Sequence, residues 1–238
     1  MIVSKSLEEF MPKLLAGDRV ACRDFVHHQV PKTPDVFELY HGLLWPAMEK
    51  VEKLYRSDRI NTATEQMAVR INRCIADQLQ MHLKRGEPKG KSVVIVCADG
   101  EPEELGAQMT ADLLEAKGWN VHFLGGGVPN DEILHLLGQL RPDLLLIFGT
   151  KPSGVPSVRS LVDLIREIGV NETMNIMVSA GVFNRAEGLW REVSADLFAR
   201  SAQEAIELAE KCEPRTPVAR ASGAPKKRRR RRRPVAVA

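Results

Sequence analysis

The sequence has little that would staple, anchor or metallate it. Four cysteines, Cys22, Cys74, Cys97 and Cys212, lie far apart in 238 residues with no C-x-x-C pair. That argues against a disulfide framework or a zinc site and leaves them as small buried hydrophobes or free thiols. No stretch approaches the roughly 18 consecutive apolar residues of a membrane span, and the start MIVSKSLEEF lacks a basic segment followed by an apolar one. A soluble cytoplasmic protein is the expectation. The six histidines, His27, His28, His41, His82, His122 and His135, show no metal-ligand spacing, and neighbours such as His27 and His28 fall on different helix faces. G-x-S-x-G, H-E-x-x-H and Walker-type phosphate loops are absent as well. No autonomous catalytic set is expected.

An apolar content of 44% is that of an ordinary globular chain. The formal charge of +3 hides an asymmetry: residues 213–238 hold ten Lys/Arg and one acid, leaving 24 basic against 30 acidic residues in the body. The cations Lys226, Lys227, Arg228, Arg229, Arg230, Arg231, Arg232 and Arg233 follow a Pro/Ala/Ser/Gly-rich stretch that cannot build a core. A disordered basic tail over 213–238 is therefore expected. Such a run attracts nucleic acid or another polyanion through counterion release, without reading sequence, since no aromatics are interleaved for base stacking.

Residues 1–86 read as a four-helix bundle. Apolar positions recur at helical spacing in Leu7 to Leu15, and a second helix follows over about Arg19 to Val30. Thr33-Pro34-Asp35 predicts the start of a third helix running towards Tyr55. Thr62 to Glu65 has a capping-box pattern ahead of Met67, Ile71, Ile75 and Leu79, which share one face. After Glu87-Pro88-Lys89-Gly90-Lys91 the rhythm changes. Short apolar runs at Ser92 to Ala98, Val121 to Leu124, Leu144 to Phe148 and Ile176 to Ser179 alternate with helical stretches, and a weaker fifth unit lies at Ala195 to Phe198. Continuous apolar strands joined by helices predict a doubly wound parallel α/β domain over 91–212.

Ligands of such sheets lie beyond the carboxyl ends of the strands. Those ends read Ala98-Asp99-Gly100, Gly125-Gly126-Gly127, Gly149-Thr150 and Ala180-Gly181. Small residues there either shape the turns or let a large flat ligand approach the backbone.

A helical bundle followed by a flavodoxin-like domain with these loops resembles the cobalamin-binding modules of methionine synthase, corrinoid methyltransfer proteins and cobalamin-dependent photoreceptor repressors. The matching residues are Leu44-Trp45-Pro46-Ala47-Met48 through Leu54-Tyr55, Glu65-Gln66, Glu101 to Gly106, Leu124 to Pro129, Leu140 to Asp143 and Val178 to Val182. They span about residues 5–212. The resemblance implies cobalamin held between bundle and strand ends, with Tyr55, Glu65 and Gln66 at its upper face. It also implies a slot for the nucleotide tail lined by Gly106, Thr150, Ser153, Ala180 and Gly181, with Gly125 and Gly126 nearby.

The family's Asp/Glu-x-His-x-x-Gly, whose imidazole binds cobalt from below, reads here Glu101-Pro102-Glu103-Glu104-Leu105-Gly106. Glu103 stands at the histidine position, and a hard carboxylate oxygen does not replace a nitrogen donor. Histidine ligation is expected to be lost. Above, the family's Trp, nine residues and Glu-His becomes Tyr55, Glu65 and Gln66, though Glu65 also reads as a capping acid and Tyr55 as a helix-end core residue. The function expected is a cobalamin-type regulator or sensor, acting on a partner regulator or as a homo-oligomer. The alternatives are a corrinoid carrier subunit for a methyltransferase, a haem-binding variant using Cys97 or a histidine, and a cofactor-free scaffold.

Overall fold

Five apolar runs become five parallel strands: β1 (Ser92–Cys97), β2 (Asn120–Gly125), β3 (Leu144–Phe148), β4 (Asn175–Ser179) and β5 (Leu197–Ala199). In the computed structural model, which describes residues 2–98 and 104–217 with side chains from Ser6 onward, they form one sheet in the order β2-β1-β3-β4-β5. The register sets Val93 beside Leu144 and Cys97 beside Phe148, and Leu144 beside Asn175. Because side chains alternate along a strand, each run supplies both faces. Val93, Ile95, Leu144, Leu146 and Phe148 face one core, and Val94, Val96, Leu145 and Ile147 face another.

The second core is closed by α7 (Asn130–Leu140) and α8 (Val155–Ile168), through Ile133, Leu137, Leu161, Val162 and Ile165. The first is closed by α6 (Glu104–Ala116) and α11 (Ala202–Lys211), and it continues without a break into the N-terminal helices. Two short helices, α9 (Gly181–Arg185) and α10 (Leu189–Glu192), follow β4. The break at residues 86–91 thus separates the rhythm of the chain but not its core.

The bundle consists of α1 (Ile2–Leu15), α2 (Arg19–Gln29), α5 (Thr62–Gln80) and a composite third helix, α3 (Phe37–Leu39), a π-turn (Tyr40–Leu44) and α4 (Trp45–Arg56). Two local expectations are corrected. The third helix does not start at Thr33, whose hydroxyl donates to the Gln29 carbonyl (2.9 Å); instead the Asp35 carboxylate accepts from the Phe37 amide (3.0 Å). Likewise α5 is capped by Asn61, which accepts from the Thr64 amide at 2.9 Å. Glu65 is therefore not a capping acid, and its carboxyl is left for other work.

The π-turn is the bundle's irregular element, of the kind that frequently marks functional sites. It packs Tyr40, Leu43 and Leu44 into the shared core. Asn72 of α5, fully buried, donates to the Leu44 carbonyl (3.3 Å). Tyr40 reaches across to α6: its hydroxyl meets the Ala76 carbonyl at 2.9 Å and Asp112 Oδ2 at 3.2 Å. A phenol has one proton to donate, so the three groups are best satisfied when Asp112 is protonated. Burial pushes the Asp112 carboxyl up to about 7, opposed by the Tyr40 hydrogen bond and reinforced by Asp77 and Glu115.

None of the four cysteines is in a disulfide, and Cys22 is buried. Burial and the nearby Asp18 push its thiol up to about 11, so it is inert.

Candidate functional site at the strand tips

A doubly wound sheet opens a crevice where the strand order reverses, which here is between the tips of β1 and β3. The loop leaving β1 includes residues 99–103, so Glu101 and Glu103 lie outside the described residues, as do Lys226 to Arg233. What meets at the crevice is otherwise well defined.

From the bundle, α4 presents Trp45, Glu49 and Glu52, spaced four and three residues apart and so on one face. Trp45 Nε1 donates to Glu49 Oε1 at 3.0 Å. Glu52 accepts from Arg185 Nη1 at 2.7 Å, and the same guanidinium donates to the Thr150 carbonyl. Glu65 of α5 is pushed up from the usual carboxylate range by burial, drawn back by Lys151 and pushed further by Glu52. Two cap acids thus confront two cations, Lys151 in the loop after β3 and Arg185 at the end of α9.

A second junction lies one strand away. Glu104, in the first turn of α6, accepts from the Gly126 amide at 2.7 Å and pairs with Arg73 of α5 at 3.4 Å. Gly125 has φ +74°, and a β-carbon there would lie 2.7 Å from Glu104 Oε1. The Gly125-Gly126 backbone therefore holds the Glu104 carboxylate itself.

Other residues read from the sequence fall as follows. Tyr55, at the end of α4, is partly exposed with its hydroxyl 3.4 Å from Thr62 Oγ1. Gln66 lines a groove of about 610 Å³ that runs along α5 past Met67 and Arg70 to Glu104. Thr150 is engaged through its carbonyl, and Ser153 is exposed on a short 3-10 turn. Ala180 has φ +77° and ψ 179°, a region occupied readily by glycine alone and costing about 1–3 kcal/mol otherwise. Arg73, Glu104, Phe148 and Arg185 were not legible as site residues.

Gly106 stands near two aromatic rings. A β-carbon on Gly106 would sit 3.6 Å from both Phe148 Cε1 and Trp45 Cη2. These are ordinary contact distances, so Gly106→Ala is expected to leave stability within about 1 kcal/mol of wild type, on the stabilising side from helix propensity. Urea denaturation checks this, and a larger loss would mean the glycine is needed by the fold. At Gly149 a β-carbon would come within 2.9 Å of Phe183 Cε2, and at Gly181 within 2.8 Å of Arg185 Nη1.

Among the described residues no cluster of three or more His, Cys, Asp or Glu side chains could hold a metal ion. No helix there is long and apolar enough to cross a membrane.

Family models for the B12 binding domain match both halves, one over residues 91–209 and a second over residues 7–79. The chain belongs to the B12-binding domain family. Membership assigns cobalamin as the cofactor of the fold. The chain is similar to dimethylamine corrinoid protein 1 of Methanosarcina acetivorans, 24% identical over 208 residues, covering 84% of this chain and 96% of that protein. A corrinoid protein of Desulfitobacterium hafniense is 19% identical over 216 residues, covering 88% and 98%. The solved monomethylamine corrinoid protein of Methanosarcina barkeri superposes with a TM-score of 0.77 at 16% identity, over 87% of this chain and 97% of that one, which shows the same bundle-plus-sheet fold.

The described residues set what this family's cofactor would displace. A corrin between cap and strand tips has to separate Glu52 and Glu65 from Arg185 and Lys151, and half-exposed pairs of this kind contribute only about 0–1 kcal/mol each. These charges therefore oppose separation only weakly. Arg185→Ala is expected to change stability by less than about 1 kcal/mol and to weaken its salt dependence, as thermal melts at low and high ionic strength would show.

Proposed function

We propose that the chain is a corrinoid carrier protein that holds cobalamin between its helical cap and the strand tips and serves a methyltransferase. The observation that carries this reading is the near-complete overlap with dimethylamine corrinoid protein 1, which spans 96% of that protein and takes in both cap and sheet. These relatives favour a carrier over the regulator or sensor that the sequence suggests. The cap's Tyr55, Glu65 and Glu52 border the side from which a partner's substrate would approach. On the other side the tips offer Gly149, Thr150, Ala180 and Gly181. Cobalamin, when bound, supplies a metal centre able to accept and release a methyl group; the chain's own part is to bind it, shield it and present it.

The test is methyl transfer. The cobalamin-loaded, reduced protein is mixed with a methylamine-specific methyltransferase and a labelled methylamine, and label is counted on the protein. Label moving to the chain supports the carrier. A loaded chain that takes no label but changes its hydrodynamic radius on illumination would point to the sensor instead.

The arginine run is a separate matter. Contact with nucleic acid through Lys226 to Arg233 remains a proposal from charge alone. Residues 213–217, expected in the disordered tail, instead dock on the domain through Arg215 and Asp196; removing residues 218–238 is expected to abolish salt-dependent retention on a nucleic-acid column, and unchanged retention would end the idea.

A further inference from the structure

The cap keeps one face that the fold does not use. Along α5, Ala68, Ile75, Ala76 and Leu79 turn into the shared core. Gln66, Arg70, Arg73 and Asp77, spaced four, three and four residues apart, share another face and line the groove of about 610 Å³ that runs from Gly17 to Glu104. Met67 is 44% exposed on this groove, and Val20, next to the groove residue Arg19, is 59% exposed. An unbranched, polarizable methionine adapts readily to a partner's shape.

Three guanidiniums, those of Arg19, Arg70 and Arg73, line the same groove. Arg73 is committed to Glu104, and Asp77 accepts from Gln108, so both acids of the groove are engaged within the chain. Arg19 and Arg70 are exposed and make no hydrogen bond or ion pair among the described residues. Their charge stands out on a body with 24 basic against 30 acidic residues, and a local field of this sign steers and selects an acidic partner. The chain's own tail is excluded as the occupant, since Lys226 to Arg233 carry the same sign. The groove reaches Glu104, which accepts from the Gly126 amide just beyond β2, and Gln66, the neighbour of Glu65. A protein seated there stands beside the crevice.

We propose that this groove is the docking surface for the methyltransferase, which enters it with an acidic segment whose apolar side chain packs on Met67. The inference rests on the carrier reading and specifies the surface and the chemistry of the partner.

The test measures, by isothermal titration calorimetry at low and high ionic strength, the Kd between the full cobalamin-loaded chain and the methylamine-specific methyltransferase, beside the steady-state constants for methyl transfer. Arg19→Glu combined with Arg70→Glu is expected to raise both Kd and the KM for the chain at least about tenfold, with kcat and the retained corrin spectrum as in wild type, which is the signature of lost binding rather than lost chemistry. Salt is expected to weaken the wild-type complex. Lys84→Glu combined with Lys211→Glu makes the same change in net charge at exposed positions outside the groove and is expected to leave Kd unchanged. A groove variant that binds within about twofold of wild type, or an equal loss in the Lys84 and Lys211 variant, overturns the inference and leaves the carrier reading standing. A loaded wild-type chain that neither binds the methyltransferase nor accepts label overturns the carrier reading itself, and this inference with it.

Discussion

Replacing Phe148 by alanine is expected to lower the unfolding free energy by about 3–5 kcal/mol, the usual result of deleting a fully buried phenyl ring. The ring ends β3, is 2% exposed, and belongs to the core that joins sheet, α6 and cap. Its loss leaves a cavity beside Gly106 and Trp45, where bundle and α/β domain share a core, so cap and sheet are expected to loosen together in a single transition. Urea denaturation followed by tryptophan fluorescence reads both the loss and the cooperativity. A loss under about 1 kcal/mol would mean that the ring is not packed.

A second large effect concerns pH. In the folded chain Asp112 keeps its proton up to about 7, whereas its ordinary value is 3.8; burial is the main cause, opposed by the Tyr40 hydrogen bond and helped by Asp77 and Glu115. Between those values the folded state binds more protons than the unfolded one, so this group makes stability fall as pH rises. Below about 3.8 it has no effect, and above about 7 the full penalty stands. Asp112→Asn removes the titration while keeping a polar partner for Tyr40. With each unit worth about 1.4 kcal/mol, the variant is expected to exceed wild type by roughly 2–4 kcal/mol at a pH above 7 and to match it near pH 4. Chemical denaturation at the two pH values checks the sign. A variant less stable than wild type at the higher pH would show that the ionised carboxylate is an asset to the cap–α6 junction.

These two residues mark where sequence reading stopped. The strands were legible because a run such as Leu144 to Phe148 is apolar at every position, which only burial on both faces allows. The same uniformity concealed Phe148: a run with no alternation does not say which face each side chain takes, nor that its last ring stands near Gly106. Capping was misread for a local reason, since Asn61 and Thr62 are both competent caps and only geometry chooses Asn61. The electrostatic contacts of the tips were beyond reach altogether. Arg185 and Glu52 are 133 residues apart and Arg73 and Glu104 are 31 apart, so no local pattern links them. Ser153 was assigned through the resemblance, and nothing local in the sequence announced the 3-10 turn at Pro152–Gly154 that carries it. The glycines at the strand ends were read either as shaping the turns or as letting a ligand approach. At Gly125 the space is taken by Glu104, and at Gly149 by Phe183.

A junction of half-exposed ion pairs over a shared apolar core explains how one fold can be firmly assembled and still admit a large guest. The apolar core, from Tyr40 to Phe148, fixes cap and sheet to each other. At the tips the partly exposed Glu52–Arg185 pair opposes separation only weakly, whereas Glu104 is held more firmly by Arg73 and the Gly126 amide.

The most direct test of this account is the visible spectrum of the purified chain after incubation with hydroxocobalamin and thorough desalting. The account predicts a retained corrin spectrum in stoichiometric amount, unchanged in Gly106→Ala. A colourless protein, or one coloured only after incubation with haem, would contradict it.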